Sequence, residues 1–141
     1  MLEIDSKLVK EEQQLMSGEK LILLKDSSCR TIVQSWIENG RDVHLSSVVG
    51  IDNIDSLQVF YYFMDRSDNS TLAIAVDLNI ENPTTDSIGD LLGSAVYEGE
   101  ATEMFGIKFE GNEIANVFLP ENWVGGYPLR KSWKKEDYFN D

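Results

Sequence analysis

The stretch Leu57–Met64 (LQVFYYFM), followed across the polar turn Asp65–Ser70 (DRSDNS) by Leu72, Ile74, Val76 and Leu78, constrains the fold most. Aromatic and β-branched residues pack well on a pleated surface, and the first run carries them on both phases, so it reads as a strand apolar on both faces. In the second run the four large residues alternate with Ala73, Ala75, Asp77 and Asn79, the period-two pattern of a strand. Two strands joined by a short turn of Asp, Ser and Asn predict a hairpin in an antiparallel or mixed sheet.

Around this hairpin the period changes. Val43 and Leu45 alternate with His44 and Ser46, then Val48–Ile51 extend a further strand, and Lys20–Lys25 (KLILLK) is a short apolar run bounded by charge, most simply a buried strand. Helices are predicted elsewhere. Ile4, Leu8, Leu15 and Met16 stand at near-helical spacing over residues 3–17, with Asp5 or Ser6 to cap and Gly18 to stop. Ile32, Val33, Trp36 and Ile37 form a stripe that ends at Asn39-Gly40, and Trp36 reads as core. After Pro83, Ser87-x-x-Asp90 has the spacing of a capping box for a helix carrying Ile88, Leu91, Leu92, Ala95 and Val96. Gly106 suits a left-handed helix end, and Ile107 and Phe109 alternate with Lys108 and Glu110 as a short strand. The fold class is α+β: a small mixed or antiparallel sheet of the three central strands plus Lys20–Lys25 and Ile107–Phe109, helices packed on one face, and an extended C-terminal arm. One domain over residues 1–133 and a mobile tail over 134–141 are expected.

Charge and composition exclude several functions. Residues 1–128 hold 22 acids and 8 bases, and residues 129–141 hold 3 acids and 4 bases, so an acidic body carries a locally basic end. That sign disfavours nucleic acid and anionic membrane as direct partners. No apolar run approaches the ~20 residues of a bilayer span, and the start lacks the basic and apolar regions of a signal peptide, so direct membrane insertion is not expected and a cytoplasmic chain is. One cysteine, Cys29, and one histidine, His44, hold no metal centre or iron–sulfur cluster on their own. The glycines at 89, 93, 99 and 106 form no dinucleotide fingerprint, and no phosphate-binding loop exists. No cofactor is expected.

The most distinctive chemistry lies between Val96 and Lys131 (VYEGEATEMFGIKFEGNEIANVFLPENWVGGYPLRK). Glu98, Glu100 and Glu103 fall near the expected helix end, where negative charge opposes the helix dipole by a few tenths to ~1 kcal/mol each, so they need another reason. As catalytic carboxylates they lack a supporting nucleophile or ligand set. Pairing with cations, at an interface or within the fold, is the better reading, beside a merely solvated face. Beyond Phe105, Pro120, the Gly125-Gly126 pair and Pro128 disfavour regular structure, yet Phe118, Leu119, Trp123, Tyr127 and Leu129 are too apolar for a solvated loop. An arm that docks is the result. Trp123 either plugs its own domain or anchors an interface, while Arg130 and Lys131 suit a partner offering carboxylates or phosphate.

These residues resemble the signature of the 30 kDa subunit of respiratory complex I NADH:quinone oxidoreductase, and of related subunits in membrane-bound energy-converting hydrogenases. Glu98 and Glu100 match the two glutamates of the family's E-R-E element. Phe105-Gly106-Ile107, Phe109 and Gly111 match the segment after it, and Trp123, Gly125, Pro128, Leu129, Arg130 and Lys131 match the W-x-G-H-P-L-R-K close. Gly99 replaces the arginine, Glu103 an aspartate, Asn112-Glu113 a His-Pro pair, and Gly126-Tyr127 a single histidine. Upstream, Val49–Asp52 resembles the family's G-V-D turn, so the resemblance runs from about His44 to Trp133. It implies a non-catalytic structural or assembly subunit of a complex I-like oxidoreductase or energy-converting hydrogenase, peripheral to the membrane. The implied partners are a hydrogenase-like large subunit and a neighbouring iron–sulfur subunit. The short close and the degenerate G-H-P favour the hydrogenase-like version. The implied docking residues are Glu98, Glu100, Glu103, Phe105, Trp123, Tyr127, Pro128, Leu129, Arg130 and Lys131. The alternative is a stand-alone acidic protein-binding domain that kept the fold without the complex.

Overall fold

The hairpin core forms as the alternation requires. A computed structural model describes residues 1–25, 29–112, 118–120 and 122–134; of the expected tail, 135–141 lie outside the described residues. Strands β3 (Val43–Asp52), β4 (Ser56–Asp65) and β5 (Ser70–Asn79) make an antiparallel meander, with Val59 opposite Val76 and Gly50 opposite Val59. In β4 the residues Leu57, Val59, Tyr61 and Phe63 are fully buried, whereas Gln58, Phe60, Tyr62 and Met64 on the other phase are half-buried. A register shift between Leu45 and Ser47 moves β3 by one residue, so Val43 and Leu45 before it and Val48 and Asp52 after it all face inward.

Lys20–Leu24 is β2, as expected, and it lies parallel to β5 with Ile22 opposite Ile74. Residues 3–17 depart from the predicted helix. A single 3-10 turn at Ser6–Leu8, where Lys7 N–H donates to Asp5, gives way to an edge strand β1 (Val9–Gln14) antiparallel to β2, and the sheet order is β1-β2-β5-β4-β3. The physical reason lies in Leu15 and Met16, which were to complete the helix stripe. Leu15 belongs to the turn closed by Gly18 and Met16 is fully exposed, so only the Ile4 and Leu8 half of the stripe packs on the core, and Lys10, Glu11, Glu12, Gln13 and Gln14 are all exposed, suiting a charged edge that resists further pairing.

Helix α1 (Arg30–Glu38) buries Ile32, Val33 and Trp36 and ends at Asn39-Gly40 with Gly40 at φ +73°. Its Trp36 ring meets Phe63 edge-on at 5.1 Å, and the indole N–H donates to the Glu3 carbonyl at 2.7 Å. The expected helix after Pro83 is split: α2 (Gly89–Leu92) stops at Gly93, φ +69°, and α3 (Ala95–Phe105) restarts after Ser94 and ends at Gly106, φ +77°. Ser87 accepts from Gly89 N–H, while Asp90 turns to Arg30 in a two-point ion pair of 2.6 and 2.9 Å, so the Ser87-x-x-Asp90 box does not close. The short strand β7 (Lys108–Glu110) does not join the main sheet. It pairs in parallel with β6 (Thr84–Asp86) as a separate two-stranded ladder. Phe105 packs on Gly50, opposite Val59, and Trp36 on Phe63, so α1 and α3 cover the same face of the sheet.

Candidate partner-docking surface

Helix α3 divides the three glutamates by depth. Glu98 is in its first turn and has no exposed surface. Its carboxylate accepts from the Ser87 hydroxyl at 2.5 Å, the Ile88 amide at 2.9 Å and the Asn112 side-chain amide at 3.0 Å. Those bonds tie α3 to the β6–α2 connection and to the turn after β7, so Glu98 works inside the fold. Glu100 lies exposed on the outer side of α3, and no described residue pairs with it. Glu103 is half-buried and receives the Phe118 amide at 2.7 Å and, more weakly, the Leu119 amide at 3.5 Å. Glu98, in the first turn of α3, gains from the helix dipole, and Glu100 lies mid-helix; Glu103 alone stands in the last turn, where the Phe118 and Leu119 amides offset the unfavourable dipole.

The arm returns onto the end of α3. The terminal carbonyls of any helix lack partners within it; here Met104 O accepts the Leu129 amide at 3.0 Å and Phe105 O accepts Arg130 Nε at 2.6 Å. A cation beside helix C-terminal carbonyls also complements the dipole. The Arg130 guanidinium lies 4.8 Å from the Tyr127 ring centre, and that ring sits so closely over Gly106 that a Cβ there would come within 2.6 Å of it. Gly106 is thus required twice, by its positive φ and by the ring. Phe105 is buried against Gly50, where a Cβ would meet its ring at 2.6 Å.

Two tryptophans fix the arm's own shape. Trp123 Nε1 donates to the Gly126 carbonyl at 2.7 Å and Trp133 Nε1 to the Gly125 carbonyl at 2.6 Å. Half-buried Pro128 follows, and Lys131 N–H donates at 2.8 Å to Asp52 Oδ2, at the far end of β3. Asp52 is almost fully buried, and its other oxygen accepts the Ile54 amide at 2.7 Å. The Lys131 amide, then the Ile54 amide, hold the Asp52 carboxyl below the usual carboxylate range against the opposing effect of burial. The arm is therefore pinned at Glu103, at the α3 terminus and at Asp52. It leaves Val124 (68%), Tyr127 (44%) and Leu129 (52%) exposed, with the side chain of Lys131 beside them.

Sequence reasoning singles out neither Asp52, Ser87 and Asn112 as anchors nor Arg30, whose guanidinium donates to the Ser87 carbonyl at 2.7 Å. Their partners stand 57 to 79 positions away for Arg30 and Asp52, and no local pattern encodes such pairs. The G-V-D resemblance at Asp52 and the Asn in place of the family's His at 112 are the two signals that point there. Among the described residues no group of His, Cys, Asp and Glu is arranged to hold a metal ion, and no helix is long and apolar enough to cross a membrane. Cys29 is buried and unpaired by any disulfide, its thiol pushed well up by burial.

The model of the family described as "Respiratory-chain NADH dehydrogenase, 30 Kd subunit" matches residues 23–139. Among relatives, the joint C/D subunit of NADH-quinone oxidoreductase from Buchnera aphidicola subsp. Cinara cedri is 40% identical over 79 residues, which are 53% of this chain and 13% of that one. The C subunit of NADH-quinone oxidoreductase from a Roseiflexus species is 32% identical over 92 residues, 62% of this chain and 52% of the relative. Thus the chain spans about half, or far less, of the length of these relatives. Two solved structures share the fold. A trypsin-resistant fragment of Nqo5 superposes with a TM-score of 0.64 at 20% identity, covering 74% of this chain and 88% of the fragment. A chain of the membrane-bound sulfane sulfur reductase superposes with a TM-score of 0.73 at 15% identity, covering 96% of this chain and 82% of that one.

Proposed function

Because the chain belongs to the family of the 30 kDa subunit of respiratory-chain NADH dehydrogenase, we propose that it is a non-catalytic assembly subunit of a complex I-like membrane oxidoreductase, docked against the large subunit. The observation that carries this reading is the pinned arm. Exposed Val124, Tyr127 and Leu129 and the Lys131 side chain stand on a segment whose backbone is already fixed by Glu103, Phe105 O and Asp52, so little ordering entropy remains for a partner to oppose. Aromatic and cationic residues on such a mount suit an interface hot spot. Relatives of the joint C/D type support the choice of partner, since there the matching region is joined in one polypeptide to a far longer remainder. The sulfane sulfur reductase, described as an archaeal respiratory membrane complex, extends the fold's setting beyond the NADH enzymes. On this reading the chain works at the cytoplasmic face, held to the membrane through its complex, near an iron–sulfur subunit. It adds structure and no redox centre of its own.

Leu129→Glu and Glu100→Lys test the surface, because both side chains are exposed and their loss leaves the internal bonds intact. Each should reduce recovery of the large subunit in a pull-down from the native cell, while Met16→Lys at the distant β1–β2 turn should not. Undiminished recovery with both surface variants would remove the arm and the outer side of α3 from the interface. A wild-type chain recovered only as a free monomer would favour the stand-alone binding domain.

A further inference from the structure

The turn between β3 and β4 holds its one apolar residue in a conformation that does not suit it. Ile54 has φ +75°, a region that β-branched residues adopt rarely because Cβ and its branches crowd the backbone, and its side chain is 68% exposed. Asn69, the other described non-glycine residue at positive φ, is of a type that tolerates it. No burial offsets the strain at Ile54. A three-residue turn closed by the Asp55 amide on the Asn53 carbonyl at 2.9 Å maintains it together with Asp52: one carboxylate oxygen accepts the Ile54 amide at 2.7 Å and the other accepts the Lys131 amide at 2.8 Å. The same buried group thus presents an exposed isoleucine and the Arg130-Lys131 end of the arm side by side, tied across 79 positions of sequence.

We propose that Ile54 is the apolar knob of the docking surface, inserted into a socket on the large subunit whose rim carries carboxylates facing Lys131. This rests on the assembly reading above. The charge pattern commits the partner's chemistry: through residue 128 the chain holds 22 acids against 8 bases, whereas Lys131, whose amide shares the Asp52 carboxylate with that of Ile54, brings a cation to this corner. An acidic rim is therefore attracted to this corner and repelled by the rest of the body. Asp55, next to Ile54 and exposed, is the acid such a rim would have to avoid, which places the contact on the Lys131 side of the turn. The bonds that hold this turn run through backbone groups and Asp52 and need no apolar side chain at position 54, so the exposed isoleucine is free to serve an external contact.

The test exploits opposite signs. Ile54→Asn keeps the turn but suits positive φ, so the isolated full chain should melt a few degrees higher than wild type. In the native cell, tagged Ile54→Asn competing with the wild-type chain for the large subunit should be recovered about tenfold less or worse, the loss from one unburied isoleucine side chain. Ile54→Val, which keeps both strain and most of the contact, should compete nearly as well as wild type. A lower melting temperature for Ile54→Asn, or recovery equal to wild type, overturns the knob while leaving the assembly reading standing. A wild-type chain that brings down no large subunit overturns both.

Discussion

Glu98 shows how an acid can be held wholly inside a fold by neutral donors. Three donors converge on a carboxylate with no exposed surface, and removing its acceptors strands the Ile88 amide and the Ser87 hydroxyl. Glu98→Gln turns one oxygen into a donor facing another donor, and should cost about 1–3 kcal/mol in urea unfolding. Asn112, standing where the family pattern has histidine, supplies one of the three bonds, so the departure is compensated locally. Asp52 gives a pH-dependent counterpart. Its folded pKa is depressed, chiefly by the Lys131 amide, so its stabilisation is present above the ordinary carboxylate range and is lost as pH falls through the lowered value. Acid titration followed by tryptophan emission should show the arm loosening there before global unfolding, and Asp52→Asn should abolish that step.

At the level of elements, the arm is part of the fold as well as a candidate interface. The sequence suggests that Arg130 serves a partner; the structure gives its Nε to the last carbonyl of α3 and its guanidinium to Tyr127. Arg130→Glu should therefore destabilise the isolated chain by about 1–2 kcal/mol in thermal or urea melts, by loss of the bond and by a negative charge at the helix C-terminus. Any effect on assembly must be judged after that correction. Elements with a local signature were legible: the aromatic and β-branched run of β4, the alternation of β5, the stripe of α1 and the glycine ends at Gly40 and Gly106 all reflect local geometry. Strand β1 was not, because its exposed Lys, Glu and Gln carry no apolar period and it exists only by pairing with β2. The anchors Asp52, Ser87 and Asn112 were hidden for a related reason, since each acts on a segment distant in sequence.

For the whole molecule, the buried face of the meander is where stability is concentrated. Ile74 has no exposed surface, and Ile74→Asp places an unpaired carboxylate among Ile22, Tyr61 and their neighbours. That costs several kcal/mol of a typical ~5–15, so the variant should lack a cooperative thermal transition. The parallel pairing of β2 with β5 also has a consequence in time. The β3–β4–β5 meander closes through short turns, but Ile22 must find Ile74 across the whole of α1, β3 and β4, a slow, non-local closure. Pulse-labelled hydrogen exchange during refolding should protect amides of β3 to β5 first and those of β1 and β2 later; simultaneous protection would refute this order. During synthesis the apolar run Lys20–Leu24 emerges long before its central neighbour exists, and until Leu72–Ala75 is made it is the segment of this chain that a chaperone would have to shield.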